Sequence, residues 1–301
     1  GRISGESQHA SAYIVSPIKL TDSLPLMVSK DEREASQKSG KDVKNYIIQY
    51  DGREVQDLLG FIKLDLLVVK DLEVIRLALE SIKSNYGIEI NIENIPLDDR
   101  QVFQMIQDGH TTGLFQFDGS AVPKRILIDS GADRIADLSA TNALDRPGAL
   151  NMGADKEFVE RKLHPEKTTY MTPYAEPYLR ETYGTVCYQE QLSQLSQDKH
   201  IIGFDAGQAD TLRKVTAHKD KKKIEKMVAL AKETARSNNV PENIYNWFCD
   251  LAVEFGKYAF NHSHSLAYAV IAYRGGFLKA HFPEAFLSAL CQIKPMMKGK
   301  D

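Results

Sequence analysis

Hydrophobic and polar positions change rhythm along this chain, and the change divides it. Near the start, Ala12–Val15 and residues 46–50 are short runs rich in β-branched and aromatic side chains, punctuated by Pro17 and Pro25, and both predict strands. Residues 30–44 between them are polar and carry charges of both signs, which predicts a solvated loop or hairpin tip. From Gly60 strict alternation resumes: Phe61, Lys63 and Asp65 fall on one face of a strand, and Ile62, Leu64 and Leu66 on the other. Lys63 and Asp65 are therefore neighbours. Leu72, Ile75, Leu79 and Ile82 then recur at helical spacing, with Gly87 as a stop.

Beyond Pro96 the period is helical almost throughout. Leu97-Asp98-Asp99 offers a cap, and helical segments follow, separated by Gly, Pro and Asn. Ile224, Met227, Val228, Ala231 and Ala235 form an apolar stripe, with Lys221, Lys222, Lys226 and Lys232 largely outside it. Residues 263–281 carry Leu266, Val270, Tyr273 and Phe277 with further apolar residues between, predicting a mostly buried helix. There is no internal repeat and no low-complexity tract.

Composition adds limits. With 301 residues, 43% of them hydrophobic, the chain can bury a large core. A formal charge of −3 gives no global attraction to a polyanion, so any nucleic-acid role rests on local cation clusters. Cys187, Cys249 and Cys291 form no Cys-x-x-Cys pair, which argues against a zinc knuckle or a disulfide framework and fits a reducing cytoplasm. No apolar run has the length of a membrane span, and the start lacks a signal-peptide pattern. An initial Gly rather than Met, and a polar end just after an apolar helix, are features expected of a piece of a longer polypeptide.

Several residues invite chemistry. Asp65 beside Lys63 is either a metal-binding carboxylate with a phosphate-binding amine or a strand salt bridge. Seven Lys and Arg side chains lie between Arg213 and Lys226, Lys214 and Lys219 among them, against Asp220 and Glu225. Phosphate is their natural partner, and a solvated helix start is the alternative. His262 and His264 are separated by about 200° on a helix, which disfavours a metal site; a histidine capping or hydrogen-bonding role at that terminus is the expectation. Tyr188-Gln189-Glu190-Gln191 offers a ring and amides that either stack on and bond a base or pack a helix. Arg146-Pro147-Gly148 places an exposed Arg in a turn. No Walker-type loop and no Ser-His-Asp signature is present.

At these same residues the sequence resembles the α subunit of bacterial DNA polymerase III, a C-family polymerase. The matching pieces run in order: His9-Ala10-Ser11, Gln49-Tyr50-Asp51, Ile62-Lys63-Leu64-Asp65-Leu66-Leu67, Pro96-Leu97-Asp98-Asp99 and Thr112-Gly113-Leu114-Phe115-Gln116. Then come Arg146-Pro147-Gly148, Tyr183-Gly184, Tyr188-Gln189-Glu190-Gln191, Ala209-Asp210-Thr211-Leu212-Arg213-Lys214, Phe260-Asn261-His262-Ser263-His264-Ser265 and Leu278-Lys279-Ala280-His281-Phe282-Pro283. Their order and spacing, rather than any one motif, carry the resemblance.

The resemblance implies an α+β fold: a small mixed α/β palm portion over residues 1–67, a connecting helix over 68–95, a predominantly α-helical fingers domain over 96–292 and a truncated tail over 293–301. It implies that Asp65 matches the third of three palm aspartates holding two Mg2+ ions for nucleotidyl transfer, with Lys63 approaching a phosphate. Arg146, Arg213, Lys214 and Lys219 would face the dNTP triphosphate or the primer-template backbone, and Tyr188, Gln189, Asn261 and His264 would shape the pocket. Partners so implied are DNA primer-template, dNTP, the remainder of the polymerase and, through regions not matched here, a sliding clamp; no membrane is implied. Ala149 follows Arg-Pro-Gly where relatives tend to have Pro, Lys214 replaces a second Arg and His262 replaces a usual Lys, which suggests a divergent, phage-type member. Nothing matches the palm Asp-x-Asp motif, so this chain alone is expected not to extend primers. The alternative reading is a non-catalytic DNA-binding or regulatory remnant of a polymerase. A helical interaction protein without a nucleic-acid role is the remaining rival.

Overall fold

The computed structural model describes residues 12–28, 30–40, 46–66, 68–217, 221–255 and 260–297. The chain divides into two compact units, Gly1–Val69 and Lys70–Asp301. The architecture is α+β, and among the described residues the strands lie in the first unit.

In the first unit, β1 (Ala12–Val15) pairs antiparallel with β4 (Ile62–Asp65), and β2 (Leu26–Met27) pairs antiparallel with β3 (Ile47–Ile48). The β1/β4 register sets Tyr13 opposite Leu64 and Val15 opposite Ile62. Because side chains alternate between faces, these four share one face, and all four are exposed. Lys63 and Asp65 occupy the other face, as the alternation predicts. Leu24 and Val55 are buried in this small unit.

Two short helices complete it, α1 (Lys30–Ser39) and α2 (Gly52–Asp57). The first corrects the expectation of a loop over 30–44. Its sequence, KDEREASQKS, holds several strong helix formers and no Gly or Pro, so local propensity forms a helix without an apolar stripe. Gly40 follows at φ 63°, a left-handed conformation in which glycine ends helices. Residues 41–45 lie outside the described residues.

The second unit is helical: α3 (Lys70–Tyr86), α4 (Arg100–Gln107), α5 (Ala121–Asp129), α6 (Ile135–Leu144), α7 (Pro147–Asn151), α8 (Ala154–Leu163), α9 (Glu176–Leu179), α10 (Gln189–Gln197), α11 (Ala206–Ala217), α12 (Lys221–Ser237), α13 (Glu242–Phe255), α14 (His262–His281) and α15 (Pro283–Met297). Two apolar clusters hold it together. One gathers Phe158, Leu195, Ile202, Leu212, Ile224 and Phe248 from α8 to α13. The other gathers Ile82, Phe103, Leu114, Tyr273, Phe286 and Leu290 from α3, α4, α14, α15 and the chain between. Helix α6 faces both, with Leu138 in the second cluster and Ala140 and Leu144 in the first.

Helix α3, expected as a connector over 68–95, packs along α15 and α14 and so falls within the compact helical unit. Its buried line is Val74, Ile75, Ala78 and Ile82, whereas Leu72 is exposed: a helix of this length buries one stripe only. Helix α15 continues through the expected boundary at 292 to Met297, with Ile293 in the core.

The Pro96-Leu97-Asp98-Asp99 segment is fixed from both sides. The Asp99 carboxylate accepts from the Gln101 and Val102 amides at 2.8 and 3.2 Å, capping α4, and its other oxygen lies 2.9 Å from His281 Nε2. The Tyr273 hydroxyl accepts from the Asp99 amide at 2.8 Å and donates to the Pro96 carbonyl at 3.0 Å. Together these bonds tie the start of α4 to α14.

Candidate functional site

On β4, Lys63 and Asp65 meet as the alternation predicts, the Lys63 ammonium donating to Asp65 Oδ2 at 3.0 Å. The Asp65 side chain is 53% exposed and that of Lys63 22%. Among the described residues no group of three His, Cys, Asp or Glu is arranged to hold a metal ion. One exposed carboxylate already facing an ammonium does not make a two-metal centre, which needs several carboxylates to bridge and anchor both ions.

The helical unit brings five of the expected residues together where α10 and α14 begin and α6 ends. Tyr188 and Phe260 form a parallel backbone bridge, and the Gln189 amide donates to the Phe260 carbonyl at 2.8 Å. Asn261 caps α14, its Oδ1 accepting from the His264 amide at 2.8 Å. The cap expected of a histidine thus belongs to Asn261, whose shorter polar side chain reaches the first-turn amides. The His264 ring lies edge-on to Phe260, with centroids 5.6 Å apart, and packs on Tyr268 at 3.9 Å.

Arg146 enters the same cluster from the end of α6. It is the N-cap residue of α7, with Pro147 at the first helical position, so its backbone is extended and its side chain is free to leave the helix axis. The guanidinium carbon stands 3.9 Å from the Phe260 ring centroid, a cation–π contact. Among the described residues it makes no ion pair at bonding distance. Burial draws its pKa below the usual arginine value, and the nearby Asp145 charge opposes that.

Tyr188 is 1% exposed. Its ring stacks on His262 at 4.1 Å and its hydroxyl donates to Ser139 Oγ at 2.9 Å. Burial pushes its pKa well above that of a free phenol, and the hydroxyl remains a donor. Ser139 is shared: the Ser265 hydroxyl of α14 donates to its carbonyl at 2.6 Å. A satisfied buried polar junction therefore fixes α6, α10 and α14 in one register.

Arg213 and Lys214 lie on α11, which packs against α10. Asp210, one turn earlier, engages both: Arg213 donates to Oδ1 from Nε at 3.1 Å and from Nη2 at 2.7 Å, and the Lys214 ammonium is 2.8 Å from Oδ2. Hydrogen bonds from Lys214 and then Arg213 hold the Asp210 carboxyl below its usual value. Lys221, Lys222 and Lys226 are exposed on α12, as the stripe predicts. Lys219 lies outside the described residues. Helix α14 is buried toward its C-terminal half, but Ser263, His264, Leu266 and Ala267 near its start are exposed, Leu266 by 40%, so residues 263–281 are less buried than their composition suggests.

Comparison with known sequences gives this arrangement a family. The profile of the bacterial DNA polymerase III alpha subunit finger domain matches residues 71–239. The chain belongs to this finger-domain family. It is 35% identical over 282 residues to the DNA polymerase III subunit alpha of Aquifex aeolicus, an alignment covering 94% of this chain and 23% of that protein. The Buchnera aphidicola subunit alpha is 32% identical over 291 residues, covering 94% of this chain and 24% of the relative. That of Pseudomonas aeruginosa is 33% identical over 295 residues, covering 95% and 24%. The chain thus spans about a quarter of the length of these relatives.

The sequence reading assigned no role to three residues that hold this cluster together: Glu190, Phe260 and Ser139. Glu190 lies inside a recognised motif and receives two hydrogen bonds from α14. Its signal was an acid in the first turn of a helix. Phe260 precedes a cap residue, a position where apolar side chains fix the entry of the chain. Ser139 had no signal, because a serine inside a helix predicts no distant partner. No helix among the described residues is long and apolar enough to cross a membrane.

Proposed function

We propose that this chain is the nucleotide-gripping part of a DNA-directed DNA polymerase. In this reading Arg146, Arg213, Lys214 and Lys219 meet the phosphates of the incoming dNTP or of the primer-template backbone. Tyr188, Gln189, Asn261 and His264 form the wall that positions those cations. Asp65 supplies one carboxylate of the nucleotidyl-transfer centre and Lys63 a charge toward a phosphate. The remaining carboxylates, the magnesium ions they hold and the contacts to a sliding clamp come from the rest of the polymerase, and the assembly works in the cytoplasm.

The observation that carries the reading is Arg146: a guanidinium held on an aromatic face, partly desolvated and with no ion pair at bonding distance among the described residues, beside a helix terminus. A partly desolvated cation in such a place is stabilised when an anion arrives, and the planar fork of Arg matches phosphate oxygens. Family membership supplies the anion's context, since the relatives are named as DNA polymerase III alpha subunits.

The test is a titration of labelled primer-template by fluorescence anisotropy at several salt concentrations, with and without the matching dNTP and magnesium. Salt-dependent binding that tightens with the matching nucleotide supports the grip. Salt-dependent binding indifferent to the nucleotide supports the second reading, a non-catalytic DNA-binding remnant of a polymerase. Absence of binding removes both. The isolated chain does not extend primers in either reading, and Asp65-dependent extension would overturn that.

A further inference from the structure

Glu190 occupies a place that the proposed grip does not explain. Its side chain leaves the first turn of α10 and reaches the start of α14. There Oε1 accepts from Asn261 Nδ2 at 2.7 Å and Oε2 accepts from the His262 amide at 2.9 Å. Both carboxylate oxygens are thus spent on two consecutive residues of another element. Both ends of the Asn261 side chain are engaged: its oxygen caps α14 through the His264 amide while its nitrogen serves Glu190. A carboxylate is favoured beside a helix N-terminus, where backbone amides lack partners and the helix dipole is positive. One residue away, the Gln189 amide holds the Phe260 carbonyl. Phe260 is therefore fixed by backbone from one side and by the capped turn from the other, and Arg146 rests on its ring.

We propose that Glu190 is the positioning residue of the phosphate grip: it locks the Phe260-Asn261-His262 turn and thereby sets the direction of Arg146 without touching the ligand. The inference rests on the proposed function for its ligand, but its geometry stands apart from that. Gln in its place has one acceptor oxygen rather than two and brings donors that Asn261 Nδ2 and the His262 amide cannot accept. Asp is one methylene too short to hold both contacts from α10.

Two measurements on the 301-residue chain separate the possibilities. The first uses no ligand: phenylglyoxal modification of Arg146, followed by peptide mass spectrometry, in the wild-type chain and in Glu190→Gln and Glu190→Ala. Positioning predicts modification several-fold faster in Glu190→Ala, with Glu190→Gln between, while thermal melting confirms that each variant is folded. An unchanged rate in folded Glu190→Ala overturns the proposal whatever the chain binds.

The second is a double-mutant cycle with Arg146→Ala, read as the tightening of primer-template binding by matching dNTP. Loss of about tenfold is expected in Glu190→Ala, with little further loss when Arg146→Ala is added. The salt slope of Glu190→Ala falls toward that of Arg146→Ala, because the phosphate contact it loses is the one made by Arg146. Full additivity of the two losses, or tighter binding by Glu190→Ala, would show that Glu190 acts only by its charge and overturns the positioning role. A faster Arg146 modification in a chain whose wild type binds no nucleotide would retain the positioning role and reject the grip.

Discussion

Arg146 stands over the ring of Phe260, 3.9 Å from guanidinium carbon to ring centroid, although the two residues are far apart in sequence. The contact holds a long, flexible side chain in one direction at the cost of some of its freedom, which is useful when a ligand must find the charge already in place. Arg146→Ala is expected to weaken primer-template binding and to lower its salt slope by about one. Arg146→Lys keeps the charge and the slope but loses the planar stacking, so its affinity falls between the two. Phe260→Leu leaves the slope unchanged while costing about 0.5–2 kcal/mol of binding. Anisotropy titrations over a salt series measure all three.

Asp137 is fully buried at the start of α6, in contact with Lys162 and 3.1 Å from Arg134, and it accepts from the Asp133 amide. Burial by itself would raise its carboxyl, but the Lys162 ammonium, with Arg134 and the backbone bond, outweighs this and holds it below the usual carboxylate range. Asp137→Ala removes the buried carboxylate from Lys162 and Arg134 and leaves Lys162 only the exposed Asp133 carboxylate and the Gly131 carbonyl, so a loss of about 1–3 kcal/mol in denaturant unfolding is expected.

The same group gives the fold an acid limit. Its folded-state pKa lies below the unfolded value of about 3.9, so its contribution is complete at neutral pH and is lost as pH falls through the folded value. Stability measured from pH 6 down to pH 2 should fall steeply below about pH 4. In a refolded Asp137→Asn variant that part of the fall should be missing.

Asp210 neutralises part of the charge of Arg213 and Lys214 on the surface of α11. Exposed pairs of this kind contribute about 0–1 kcal/mol, so a phosphate can displace the carboxylate at little cost. Asp210→Asn should leave the melting temperature nearly unchanged. It should tighten DNA binding at low salt and increase the salt slope, because the cations lose their local counter-charge. The gain should be constant from pH 5 to pH 8, since Asp210 stays ionised throughout that range. A melting curve and a salt titration check it.

Gly113 lies at φ 81° directly beneath α15, where an added Cβ would stand 2.6 Å from Leu290 Cδ2 and 3.1 Å from Phe286 Cε1. Both the backbone conformation and the contact exclude a side chain. Gly113→Ala should therefore destabilise the helical unit by about 1–3 kcal/mol. Denaturant unfolding measures this, and adding Leu290→Ala should recover part of the backbone-independent loss.

Local rules fixed much of this chain. Alternation placed Lys63 beside Asp65, a capping side chain placed the start of α4 at Asp99, and the apolar stripe of α12 set which lysines face outward. Each depends on residues within one or two turns of each other, where period and propensity act directly. The same rules failed at residues 30–39, where charge was read as a loop and the intrinsic preference of Glu, Lys, Arg, Ala and Gln for helix decided otherwise. The order of motifs gave the family.

What tertiary structure alone decided was which distant groups share one junction. Ser139 receives Tyr188 and supports Ser265, Glu190 receives Asn261 and His262, and Arg146 meets Phe260. A hydrogen bond or a cation–π contact between residues far apart in sequence leaves no period and no local preference to read. It exists because two apolar clusters pack α6, α10 and α14 in one fixed arrangement, and the polar groups carried into that packing must find partners there.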